Sequence, residues 1–177
     1  LYLHVPFCAS RCGYCDFNTY TASQLPGLSI GAYLRAVHAE IALARDVLGA
    51  EAPPLQTVFV GGGTPTLLDA SQLGELLDDV RDTFGLVEGA EITTEANPET
   101  LDVAKLAGLV GAGFNRLSLG MQSADEGVLR RLDRVHTPGG ALAAVKAARS
   151  VGFDNISFDL IYGAPGETLD QWRASLE

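Results

Sequence analysis

No stretch of the 177-residue chain approaches the ~18 consecutive apolar residues that a membrane-spanning helix needs. No basic-then-apolar leader opens it either, so neither a transmembrane segment nor a secretory signal is expected. Basic residues are scarce: 12 Lys and Arg stand against 22 Asp and Glu, for a net charge of −10. Nucleic-acid affinity rests on cations displacing counterions, so a nucleic-acid partner is not expected. Cysteine is scarce as well. There are three, all between residues 8 and 15. An odd number confined to one short segment builds no disulfide framework, and the reducing cytoplasm is the expected compartment. What is present is ordinary for a soluble domain with a real core: 47% hydrophobic residues and 19% charged ones. The length suits one domain. A start at Leu1 and an end at Glu177 without a helix stop signal suggest a piece of a longer protein, with 1–177 an incomplete core domain.

Strand-like and helix-like segments alternate. LYLHV (1–5) reads as a short strand. A helical pattern runs from Ile30 to Leu48 behind an N-cap at Ser29, with Ile30, Tyr33, Leu34, Val37, Ile41 and Leu48 on one face. TVFV (57–60) is a continuous apolar, β-branched run, as in buried parallel strands. GGGTPT (61–66) turns the chain, and Asp69-x-x-Gln72 has the form of a capping box ahead of Leu73, Leu76, Leu77 and Val80. EITTEA (91–96) is a third strand. Asn97-Pro98 reads as an N-cap with proline at the first helical position, before Leu101, Leu106, Leu109 and Val110. Gly113-Phe114-Asn115 leads into RLSLG, and Gly152-Phe153-Asp154 leads into NISFDLIYG, so one βα unit recurs. Trp172 and the phenylalanines read as core. Strand, helix, strand within one sheet means parallel pairing, so the fold class is α/β. A partial (β/α) barrel with outer helices and an open doubly wound sheet both fit. In either, binding groups collect at the C-terminal ends of the strands.

The cysteines follow the pattern C-x3-C-x2-C at Cys8, Cys12 and Cys15. Three clustered thiols suit a metal better than a core. Zinc would take three ligands and a water, or a fourth ligand such as His4. An iron–sulfur cube usually takes four thiolates, so three leave one iron open to a small molecule. Spacing alone leaves both open. The other polar residues at strand ends add chemistry. GGGTPT lacks the G-K-[ST] of a phosphate loop, but glycines let backbone approach a ligand closely. Glu95 and Asp159 put carboxylates in strands, where they need a partner or a ligand; Arg116 is a candidate salt-bridge partner. Gln122 both donates and accepts. Arg134 offers a fork matched to a carboxylate, or is a solvated charge beside Arg130 and Arg131.

With an aromatic, Tyr14, just before its last cysteine, the cysteine motif resembles that of the radical S-adenosylmethionine (SAM) superfamily. Y-x-H-V-P-F-C (2–8), GGGTPT (61–66), SLGMQS (118–123), R-x-H-T (134–137) and FDLIYGAPGET (158–168) are similar to the group of oxygen-independent coproporphyrinogen III oxidases and HemW-type heme chaperones. The resemblance runs from residue 2 to 168. It implies a truncated (β/α) barrel and a [4Fe-4S] cluster on Cys8, Cys12 and Cys15, with the fourth iron chelating SAM. Electron transfer into the sulfonium would yield a 5′-deoxyadenosyl radical. It further implies SAM contacts at Tyr2, Tyr14, Gly62, Gly63, Thr64, Glu95, Gln122, Arg134 and Asp159. Gly62, Gly63 and Thr64 would meet the amino-acid part, and Tyr14 the adenine. The oxidases carry another cysteine two residues after the third, where this chain has Phe17. That difference and Arg134-x-His136-Thr137 resemble the chaperone branch, so heme is the expected cargo and a heme-acceptor protein the expected partner. A flavodoxin or ferredoxin would supply electrons. Porphyrinogen decarboxylation is the alternative activity. By chemistry alone, His4 and His136 are candidate axial heme ligands.

Overall fold

The computed structural model describes residues 1–27, 29–49, 51–134 and 139–177. His136 and Thr137, and with them most of the R-x-H-T motif, lie outside the described residues. Five parallel strands form one sheet in the sequential order β1-β2-β3-β4-β5. They are β1 (Tyr2–Val5), β2 (Leu55–Gly62), β3 (Leu86–Ala96), β4 (Arg116–Gln122) and β5 (Asn155–Leu160). Between them run helices α1 (Ile30–Leu48), α2 (Ala70–Phe84), α3 (Val103–Ala112), α4 (Glu126–Arg131) and α5 (Gly140–Ser150), and α6 (Leu169–Leu176) follows β5. Sequential order decides between the two architectures left open by the sequence. A doubly wound sheet reverses its strand order partway, whereas a (β/α) barrel does not. The partial barrel is the one observed.

The helices lie where their apolar stripes put them. Leu34 and Ile41 of α1, Leu73, Leu76, Leu77 and Val80 of α2, and Leu106 and Leu109 of α3 share one core with Leu3, Val5, Val58, Val60, Ile92, Leu117 and Leu119 of the strands. Burying each such side chain contributes about 1.5–3 kcal/mol relative to exposure. Ser29 accepts the Ala32 N–H as the N-cap of α1, and Gln72 accepts the Asp69 N–H in the capping box of α2.

Three local expectations fail. Leu48 is exposed, because it falls on the last residue of α1, where the helix ends. Asn97-Pro98 opens only a 3₁₀ turn (Pro98–Thr100) without a side-chain cap bond, and Asp102 caps α3 instead by accepting the Lys105 N–H at 2.7 Å. Trp172 is only half-buried on α6, a helix with no buried residue, and Phe17 and Phe158 are exposed. Phe84, Phe114 and Phe153 are core, as expected. No helix among the described residues is long and apolar enough to cross a membrane.

Candidate functional site

The cysteine loop is a closed excursion from the end of β1. Its base is fastened by backbone bonds from Cys8 N–H to Tyr20 O at 3.0 Å and from Tyr20 N–H to Pro6 O at 2.7 Å. Its tip is held by Gly13 N–H on Leu132 O, at the end of α4. Cys8, Cys12 and Cys15 are free thiols, each partly exposed, and all three line one cavity of about 350 Å³. Burial pushes the Cys8 thiol up, with the Thr19 and Thr64 hydroxyls opposing and the other two thiols reinforcing it. Among the described residues, no three His, Cys, Asp or Glu side chains converge on a point as ligands of a single ion do. His4 is no fourth ligand. Its Nε2 bonds Asn18 O at 2.9 Å and its Nδ1 meets the Tyr2 hydroxyl at 3.0 Å. A carbonyl only accepts, so Nε2 carries the proton and Tyr2 donates to Nδ1.

The glycine loop explains its own composition. At Gly62, φ is +115° and a Cβ would fall 2.6 Å from the His4 ring; at Gly63 it would fall 2.4 Å from Phe7 O and 2.9 Å from the Cys8 sulfur. The loop therefore touches the first cysteine only because it has no side chain there. Its N–H groups are used internally: Gly62 on Glu95 Oε2 at 2.9 Å, Gly63 on Val5 O at 2.8 Å, Thr64 on Phe7 O at 2.7 Å. What it can offer a ligand is its carbonyls, which accept, and the Thr64 hydroxyl, which can accept as well as donate. Burial raises the Glu95 carboxyl above its ordinary range; the Gly62 N–H opposes this, nearby Asp159 adds to it and His4 opposes it.

Arg116 does not pair with either strand carboxylate of the site. It faces Glu91 at 4.0 Å and donates to Thr93 at 3.3 Å and Ser157 at 2.9 Å. Ser118 continues the row, donating to Asp159 at 2.9 Å. At the end of β4 the ladder shifts register between Gly120 and Gln122, and Gln122 takes φ +67°. Such a conformation is uncommon outside glycine and marks a site the surroundings impose. Arg134 is no solvated charge. It donates to Cys12 Sγ at 3.4 Å and to Gly120 O at 3.1 Å, while its buried Nε has no partner among the described residues. Burial also pushes the Tyr14 hydroxyl up, against the pull of Arg134.

The cavity brings together Tyr14, the three cysteines, Gly62, Gly63, Thr64, Glu95, Gln122, Arg134 and Asp159. Tyr2 does not line the cavity: it is 54% exposed, bonds His4, and lies near enough to Glu95 for that carboxylate to help raise its hydroxyl. Sequence reasoning missed Asn97 and Thr100, which also line the cavity. Asn97 was hidden by its good fit to a helix start, and Thr100 carried no signal.

The sequence model of the Radical SAM superfamily matches residues 2–177. The heme chaperone HemW of Mycobacterium tuberculosis is 52% identical over the whole chain, and that of Escherichia coli is 39% identical over 97% of it. The chain spans 45% and 44% of those two proteins. Among solved structures, coproporphyrinogen III oxidase (HemN) from Escherichia coli, described as a radical SAM enzyme, superimposes with a TM-score of 0.86. It is 32% identical, over 99% of this chain and 39% of its own. The chain belongs to the radical SAM superfamily.

Proposed function

We propose that Cys8, Cys12 and Cys15 hold a [4Fe-4S] cluster and that the cavity beside them takes SAM at the remaining iron. Superfamily membership implies both groups. The donor set fits: three thiols line one cavity, and thiolates are the ligands that an iron–sulfur cube takes. The single observation that carries the reading is that these thiols share their cavity with an Arg134 whose buried Nε lacks a partner among the described residues. A buried guanidinium N–H without an acceptor is costly, and a carboxylate is its natural complement. When bound, the reduced cluster supplies one electron to the sulfonium of SAM.

The protein's own groups then divide the ligand. Arg134 binds the carboxylate. Acceptors of Gly62, Gly63 and Thr64 face the amino group, with Glu95 behind them. Asp159 and Gln122 bind ribose hydroxyls, and the Tyr14 ring lies beside adenine. Tyr2 fixes the His4 ring, which holds the end of the cysteine loop at Asn18. Residues 1–177 form the SAM-binding core of a longer cytoplasmic protein of the HemW type, which binds heme and passes it to an acceptor protein. A flavodoxin or ferredoxin would supply the electron. The 52% and 39% identities to proteins named heme chaperone HemW, and Phe17 in place of a further cysteine, support this reading. The similarity to HemN supports a second one: SAM-dependent oxidative decarboxylation of coproporphyrinogen III.

The test uses the full-length protein, reconstituted with iron and sulfide under anaerobic conditions. SAM, reductant and coproporphyrinogen III are added and the products separated by chromatography. No turnover by cluster-loaded protein, with stoichiometric heme binding, is expected. Protoporphyrinogen or its mono-decarboxylated precursor would make the protein an oxidase.

A further inference from the structure

Asn97 stands at the C-terminal end of β3, two residues past Glu95. It occupies the N-cap position of the 3₁₀ turn, yet its side chain makes no capping bond. Its Oδ1 is instead buried, without a partner among the described residues, in a residue that lines the cavity. A buried amide oxygen left unpaired is costly, so its neighbours must hold it there. They do. Both the N–H and the hydroxyl of Thr100 donate to the Asn97 backbone carbonyl, at 2.9 and 2.7 Å. With the Thr100 proton committed, the hydrogen between Thr66 and Thr100 belongs to fully buried Thr66. Lys105 fixes that residue in turn by donating to Thr66 O at 2.7 Å. The last threonine of GGGTPT, in the turn that follows β2, thus fixes Thr100, which in turn holds the backbone of Asn97.

We propose that Asn97 is a further binding residue of this cavity, its side-chain carbonyl accepting a hydrogen bond from the nucleoside half of SAM. The inference rests on the SAM reading of the cavity. SAM has three kinds of donor: its amino group, its ribose hydroxyls and its adenine amino group. The first is met by the open iron and the acceptors of the glycine loop. A neutral amide oxygen matches the other two, both on the nucleoside.

The experiment measures affinity, not turnover. SAM is titrated calorimetrically into full-length, cluster-loaded wild type, Asn97→Ala and Asn97→Asp; 5′-deoxyadenosine and methionine are titrated separately. For Asn97→Ala, SAM and 5′-deoxyadenosine should each bind roughly five- to tenfold more weakly. Methionine affinity, iron content and melting temperature should stay at wild-type values, since the side chain caps nothing. Asn97→Asp keeps an acceptor and should bind both adenosyl ligands near wild type. Equal SAM affinity in wild type and Asn97→Ala overturns the inference. So does a loss confined to methionine, or a loss that comes with lower iron content or melting temperature. If Asn97→Asp falls with Asn97→Ala, the amide nitrogen is the group that binds, and the acceptor role is overturned. Failure of cluster-loaded wild type to bind SAM would instead sink the underlying reading of the cavity.

Discussion

The two faces of the sheet carry opposite chemistry. On β3, Ile92 and Ala96 point into the helical layer, while Glu91, Thr93 and Glu95 point the other way. The same division runs across the register. Leu117 and Leu119 of β4 are fully buried on the apolar side. Arg116 and Ser118, in register with Asn155 and Ser157 of β5, form the polar row that ends at Asp159. The apolar side gains its free energy from burial alone. The polar side holds groups that stay partly unsatisfied or raised in pKa: Glu95, Arg134 Nε and Asn97 Oδ1. Stability and function are thereby separated by one backbone. Alternate residues of a strand serve each.

That separation predicts two large effects that should not cross. Phe114→Ala, on the helix side, should cost about 3–5 kcal/mol in urea unfolding. The protein that remains folded should still take up its full iron. Cys12→Ala, on the cavity side, should abolish the cluster, read as iron content and visible absorption after reconstitution. The apo-protein's unfolding free energy should move by no more than about 1 kcal/mol, the worth of the Arg134 bond to Cys12. Full iron uptake by Cys12→Ala would remove that cysteine from the ligand set. A large stability loss in the apo form would join the two faces into one.

Much of this was legible because it is local. Cap residues such as Ser29 and Asp69 declare helix starts, and the recurring Gly-Phe-Asn/Asp turns ahead of RLSLG and NISFDLIYG declare the strands that follow. C-x3-C-x2-C and the glycine triplet mark the cavity by chemistry that few other arrangements need. What stayed hidden depends on distant neighbours. Nothing near Asn97 says that Thr66, some thirty residues earlier, will turn it away from a capping role. The pairing of Arg116 with Glu91 rather than Glu95 depends on register, and the left-handed backbone at Gln122 on a shift in the β4–β5 ladder. Leu48 and Trp172 are apolar by type, and only the extent of the packed layer decides that they stay outside the core.

A smaller effect sharpens the role of the polar side. Arg134→Ala should weaken SAM binding by roughly ten- to a hundredfold, the worth of a charge-assisted bond. Iron content should be unchanged. Arg134→Lys keeps the charge but loses the fork, and should recover only part of the affinity. Unchanged binding in the alanine variant would return Arg134 to a role in holding Cys12 and Gly120 together.

The smallest effect tests whether the polar side costs stability at all. Burial raises the Glu95 carboxyl above its ordinary value of 4.5, so across that interval the native state holds a proton that the unfolded chain has released. Where the native state binds more protons, stability falls as pH rises. Glu95 therefore contributes a decline that begins near pH 4.5, continues to its raised value, and is flat above it. Glu95→Gln can still accept the Gly62 N–H but has no charge to desolvate. The stability of the variant relative to wild type should climb through that window and then level off, as followed by urea unfolding at closely spaced pH values. A relative stability that falls with pH would mean that the Gly62 N–H and His4 outweigh burial, and that the carboxylate stabilises the sheet it sits in.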